Sequence, residues 1–108
     1  MLLIVLLPRL AAAHAHLLEA TPANDSVLAQ APASFMLLFN EPARLTALSL
    51  QKDDAPPRKM GGLQGAPGAR WLIPAPPLAP GNYTLSYRVL SEDGHIMSGS
   101  IKFRIRGP

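Results

Sequence analysis

Two short segments near the C-terminus alternate strictly, and they constrain the fold more than any other feature of the chain. Tyr83, Leu85, Tyr87 and Val89 are interleaved with Thr84, Ser86 and Arg88, and Ile101, Phe103 and Ile105 with Lys102, Arg104 and Arg106. A period of two places one side of each segment in a core and the other in water, as in a half-buried β-strand. Phe35 to Phe39 is continuously apolar, which suits a strand covered on both faces. Weaker strand candidates are His16 to Ala20, Leu45 to Leu50 and Arg70 to Ile73. Turn signals separate them at Pro22 to Ser26, Glu41-Pro42, Pro56-Pro57, Gly61-Gly62, Gly65 to Gly68 and Pro76 to Gly81. The 12 prolines and 8 glycines suit turns between short strands, and no stretch offers a capped helical face. The expected fold is therefore all-β: an immunoglobulin-like antiparallel β-sandwich of about seven short strands. With 108 residues there is room for one domain, and without cysteine it must hold together by its core alone. The segment from Lys52 to Ala69 is poor in apolar residues and reads as a long loop.

The first residues read differently. Met1 to Leu7 is wholly apolar, Pro8-Arg9 interrupts, and Leu10 leads into Ala11-x-Ala13, the small residues that a signal peptidase accepts. A membrane-spanning helix needs about 20 apolar residues, so this stretch is too short to be one. No basic residue precedes the apolar run, as though the true start lay upstream of Met1. Residues 1–13 are expected to be an export signal and residues 14–108 the mature domain, free of any membrane span after processing. A cut after Ala13 exposes His14 as the new first residue, whereas the alternative cut after Ala15 exposes His16.

The formal charge of +3 does not indicate nucleic acid, because the basic residues are scattered and no aromatic stripe lies among them. Catalytic patterns are also lacking: no Ser/His/Asp order, phosphate-cradling glycine loop or acid/base carboxylate pair stands out. The three histidines are the exception. His14 and His16 lie at the expected new N-terminus, and His95 follows Asp93 by two residues. A freed His14 offers an amine and a ring nitrogen from one residue. An extended backbone points Asp93 and His95 the same way, and Gly94 between them permits a tight bend. Two imidazoles, an amine and a carboxylate suit a tetragonal Cu(II) ion, although zinc accepts the same donors in a tetrahedral set.

With these residues in view, the chain resembles the CopC family of periplasmic copper-binding proteins. The likeness rests on His14-x-x-Leu17 with Thr21-Pro22, Phe39-Asn-Glu41, and Pro77-Leu-x-x-Gly81-x-Tyr83. It rests most on Tyr87 to His95 through Ser-Glu-Asp93-Gly-His95, followed by Ser98-Gly99. The resemblance implies an immunoglobulin-like sandwich holding one Cu(II) per chain through the amine and ring of His14, Asp93 and His95. It further implies a non-enzymatic role in periplasmic copper transport, buffering or resistance, with an inner-membrane copper transporter as partner. Glu41 matches an acidic residue near the family's site, where it would orient a ligand; it reads equally as a plain strand-end carboxylate. His16 is expected at a strand edge beside the metal. A tail-only mode, in which a third-position histidine wraps Cu(II) with backbone amides, is the competing use of His16. Met36, Met60 and Met97 are scattered, with only Met60 in the long loop, unlike the methionine-rich Cu(I) loop of some family members, and Met36 and Met97 read as packing residues. Two other functions remain open: a copper-dependent oxidative enzyme with an N-terminal histidine, and a metal-free immunoglobulin-like interaction module.

Overall fold

The structure is a computed structural model that describes residues 15–61, 63 and 65–107. The His14 and export-signal expectations therefore lie outside the described residues. Seven strands run in the order β1 (Leu17–Thr21), β2 (Ser26–Leu28), β3 (Ser34–Lys52), β4 (Arg58–Lys59), β5 (Gly68–Pro74), β6 (Gly81–Ser91) and β7 (Ile96–Ile105). No helix occurs among the described residues.

β3 builds both layers of the sandwich. Its first part, from Ser34 to Leu38, pairs with β5, and Met36 to Phe39 pairs with β1. Its second part, from Ala43 to Lys52, pairs with β6, which continues to β7 and β2. Several details of the expected fold need correction here. The strands are not all short, since β3 has 19 residues. The expected turn at Glu41-Pro42 is instead the crossing point between layers. Proline lacks a ladder donor, so a strand can pass through it only where pairing lapses. That is what happens, because the pairing with β5 skips from Leu38 to Ala43 and β6 begins only at Ala43. The sheet also departs from pure antiparallel pairing, because β2 runs parallel to β7. β4 lies in the segment read from sequence as a long loop, and β2 starts at Ser26, the last residue of the stretch read as a turn.

The alternating segments behave as their period demands. Tyr83, Leu85 and Val89 of β6 and Ile101, Phe103 and Ile105 of β7 are buried, while Lys102, Arg104 and Arg106 face water. Phe35, Leu37 and Leu45 of β3 join them in the core. Phe103 stacks on Tyr83 with ring centroids 5.3 Å apart and lies 5.9 Å from Phe35. The Tyr83 hydroxyl donates to the Ala79 carbonyl at 2.5 Å. This link back to the chain just upstream is the tyrosine corner of immunoglobulin-like sandwiches. At the other end, the Trp71 indole N–H is shared between the Ala43 carbonyl (3.1 Å) and the Gly68 carbonyl (3.0 Å), which ties β5 to the crossing point.

Candidate metal centre

The turn between β6 and β7 brings Asp93 and His95 together. The Ser91 N–H donates to the His95 carbonyl at 2.9 Å and the Gly94 N–H donates to the Ser91 carbonyl at 3.0 Å. The loop therefore has three residues, a length that calls for a left-handed residue at its end. Gly94 supplies it at φ +88°, a conformation costly for any residue with a Cβ. A turn, rather than the extended backbone expected from the spacing, makes the two side chains converge.

Asp93 is held at both oxygens. Its Oδ1 accepts from the Ser91 hydroxyl and, at 3.2 Å, from the His95 backbone N–H. Its Oδ2 lies 2.6 Å from His95 Nδ1. These bonds, that of the Ser91 hydroxyl foremost, lower the Asp93 carboxyl to about 2 against an opposing effect of burial. An ionised carboxylate only accepts, so Nδ1 of His95 is the donor in this pair, and Nε2 is the ring nitrogen that a metal would use. The Asp93 side chain is 23% exposed and that of His95 62%, so the pair sits at the surface. Ser91 is itself buried and belongs to the site, although its sequence position carried no sign of a role.

The N-terminal segment approaches this turn along one edge of β3. β5 shares Met36 to Leu38 with β1 and shares Ala43 with β6, so β1 and β6 must both occupy the edge opposite β5. The start of β1 and the end of β6 thus face each other across Asn40, Glu41 and Pro42. Asn40 and Ala43 are three residues apart, roughly 10 Å at about 3.3 Å per residue. His16, just before β1, is fixed there: its N–H donates to Asn40 Oδ1 at 2.6 Å, and its carbonyl accepts the Asn40 N–H at 2.9 Å. Ala15 is buried in the core at 3% exposure. Glu41 is half-buried in the gap, while the His16 side is exposed. Among the described residues no three of His, Cys, Asp and Glu gather as a metal cluster, so neither His16 nor Glu41 completes one with Asp93 and His95. Met36, Met60 and Met97 are half-buried on three separate segments, and Met60 and Met97 pack against the core. No described helix is long and apolar enough to cross a membrane.

The family model of the CopC domain matches residues 17–106. The chain belongs to the CopC family. It is 34% identical to the copper resistance protein C of Xanthomonas campestris pv. juglandis, covering 87% of this chain and 81% of that protein. It is 32% identical to the copper resistance protein C of Pseudomonas syringae pv. tomato, covering 94% and 88%. The crystal structure of CopC from Methylosinus trichosporium OB3b matches with a TM-score of 0.76 at 27% identity, over 85% of this chain and 93% of that one. PcoC, a methionine-rich copper resistance protein from Escherichia coli, matches with a TM-score of 0.64 at 28% identity, over 87% and 100%. The CopC fold is the sandwich described above, and three segments that carry the sequence resemblance fall at its structural joints: Phe39-Asn-Glu41 at the crossing of β3, Gly81-x-Tyr83 at the tyrosine corner, and Asp93-Gly-His95 at the β6–β7 turn.

Proposed function

We propose that this CopC-family chain is exported, is cut after Ala13, and holds one Cu(II) through the amine and ring of His14 together with Asp93 and His95. The observation that carries this reading is the convergence on one edge of β3. Two strand steps upstream of His16 cover roughly 7 Å of the roughly 10 Å gap, and an imidazole reaches further than the remainder. The donor set also fits, because nitrogen and carboxylate oxygen suit Cu(II) better than other divalent ions. In this reading Asp93 and His95 are preorganised by their turn before metal arrives, and Glu41 lends negative charge from the gap. The copper resistance relatives support copper as the cargo. The protein is then a periplasmic carrier or buffer that exchanges Cu(II) with an inner-membrane copper transporter, and not an enzyme. Trp71 and Tyr83 are buried and Tyr87 packs on Phe39, so these rings serve the core and not a substrate platform.

The test is a competition titration of Cu(II) with the processed protein, its first residue established by mass spectrometry. One equivalent should bind, and Asp93→Ala or His95→Ala should weaken binding sharply while Met60→Ala leaves it unchanged. A mature chain that does not begin at His14, or equal affinities in all three variants, would overturn the proposal.

A further inference from the structure

We propose that Asn40 decides which of two Cu(II) sites this chain uses. By accepting a hydrogen bond from the His16 N–H, its side-chain carbonyl keeps copper at the docked site with Asp93 and His95, and out of a four-nitrogen site made by the tail alone. The inference rests on the reading above, in which His14 is the first residue of the mature chain.

The competing site follows from covalent chemistry. A free amine with histidine in third place can encircle Cu(II) with the amine, the two intervening amide nitrogens and the third residue's ring. Here those donors are the His14 amine, the amide nitrogens of Ala15 and His16, and the His16 ring. Both amides must release their protons to the surrounding water as copper binds, and Ala15 is not a proline that would prevent this. The fold opposes that arrangement at one bond above all. The His16 N–H, whose nitrogen the tail site needs, is donated to Asn40 Oδ1 at 2.6 Å. The Asn40 N–H returns a bond to the His16 carbonyl at 2.9 Å, so His16 lies along the edge of β3 with its backbone held at both ends. Ala15 is buried next to it and would have to leave the core for the tail to wrap a metal. A single methyl group is a weak anchor. The Asn40 side chain is therefore the stronger restraint, and the one that acts on the competing donor atom itself. Asn40 is a positioning residue in this scheme: it excludes one donor set and presents the other.

The two sites differ in ligand field, which gives a readout that affinity alone does not. Four nitrogens split the copper d-levels more widely than a mixed nitrogen and oxygen set. Their visible d–d absorption therefore lies at shorter wavelength, with a matching change in the electron paramagnetic resonance spectrum. The experiment adds one equivalent of Cu(II) at neutral pH to the processed protein and to Asn40→Ala, Asn40→Ser and Asn40→Asp. Circular dichroism checks that each variant is folded. Asn40→Ala removes the acceptor, Asn40→Ser leaves a hydroxyl too short to reach the amide, and Asn40→Asp keeps an oxygen at the same reach.

The unsubstituted protein and Asn40→Asp should show the mixed-donor spectrum. Asn40→Ala and Asn40→Ser should shift to the four-nitrogen spectrum. Adding His16→Gln to either should abolish that shift, whereas adding Asp93→Ala should not. A mixed-donor spectrum in the folded Ala and Ser variants overturns the inference and leaves the proposed function intact. A shift in Asn40→Asp equal to that in Asn40→Ala, or a four-nitrogen spectrum in the unsubstituted protein, also overturns it. An unsubstituted protein that binds no Cu(II) overturns the proposed function, and the inference with it.

Discussion

Asp93 illustrates how one residue's chemistry depends on a neighbour that no metal motif would include. The Ser91 hydroxyl is the largest influence holding its carboxyl at about 2, below the ordinary 3.8. A carboxyl with a lowered folded-state pKa stabilises the fold above its unfolded value, and this contribution is lost as pH falls through the folded value. The window is therefore from about pH 4 down to about pH 2. Replacing Ser91 by alanine should bring the Asp93 titration back toward 3.8, so that the loss becomes smaller and is complete at higher pH; urea midpoints across the window, compared with those of Asp93→Asn, measure it. The same substitution leaves Asp93 less firmly oriented toward His95. Outer-shell partners of metal ligands typically govern affinity by about 10–100-fold, so Cu(II) affinity at neutral pH should fall by about that factor. Unchanged affinity and an unchanged acid limb in Ser91→Ala would show that the hydroxyl does not support the pair.

At the scale of elements, the site depends on how β6 and β7 stay in register above the turn. Tyr87 of β6 is paired with Gly99 of β7, and its ring packs edge-on against Phe39 of the opposite layer with centroids 5.8 Å apart. A Cβ at position 99 would overlap the end of the Tyr87 ring, hydroxyl included, so glycine is required by close approach. Gly99→Ala must displace a half-buried ring that is wedged between layers. Overpacking of this kind costs about 1–3 kcal/mol, and thermal or urea unfolding should show a loss of that size. Because Val89↔Met97 and Leu90↔Ile96 lie between this contact and the turn, copper affinity should fall less than stability does. Wild-type stability in Gly99→Ala would show that Tyr87 relocates without cost. The crossing of β3 works similarly: Pro42 sits where no partner strand requires its missing N–H, and the Trp71 indole secures Ala43 beside it.

For the whole molecule, the proposed site joins the chain terminus to a loop almost eighty residues away in sequence, so binding reports on processing and docking together. The amine, with an ordinary pKa of about 7.7–8.0, must be neutral to bind a metal, and so must the imidazole nitrogens that hold it. Cu(II) affinity should therefore decline steadily from about pH 8 to about pH 6. Asp93 should contribute nothing to that decline, because its carboxyl is ionised throughout the range. One residue added before His14 converts the amine to an amide and removes a donor without touching the sandwich. Parallel titrations of the processed and extended proteins should show most of the affinity lost in the second, with unchanged circular dichroism. Equal affinities would mean that the amine is not a ligand.

Periodicity alone identified β6 and β7, because alternation is a local property that burial on one face imposes on every such strand. Asp93-Gly-His95 was legible as a candidate group because its three residues are adjacent and need no distant partner, although the spacing suggested an extended backbone and a turn is what brings the two side chains together. What the sequence could not show depended on atoms brought from far along the chain. Glu41-Pro42 reads as a turn locally, and only the lapse in pairing on both edges of β3 lets a strand carry proline from one layer to the other. β2 and β4 are too short to have a period of their own and exist because β7 and β3 offer them an edge. Ser91 and Asn40 are ordinary polar residues in sequence. Their roles arise because the hairpin folds a buried hydroxyl onto Asp93 and because the β1–β3 register sets an amide oxygen against the His16 N–H. Hydrogen-bond partners are chosen by tertiary contact, and no one-dimensional pattern records that choice.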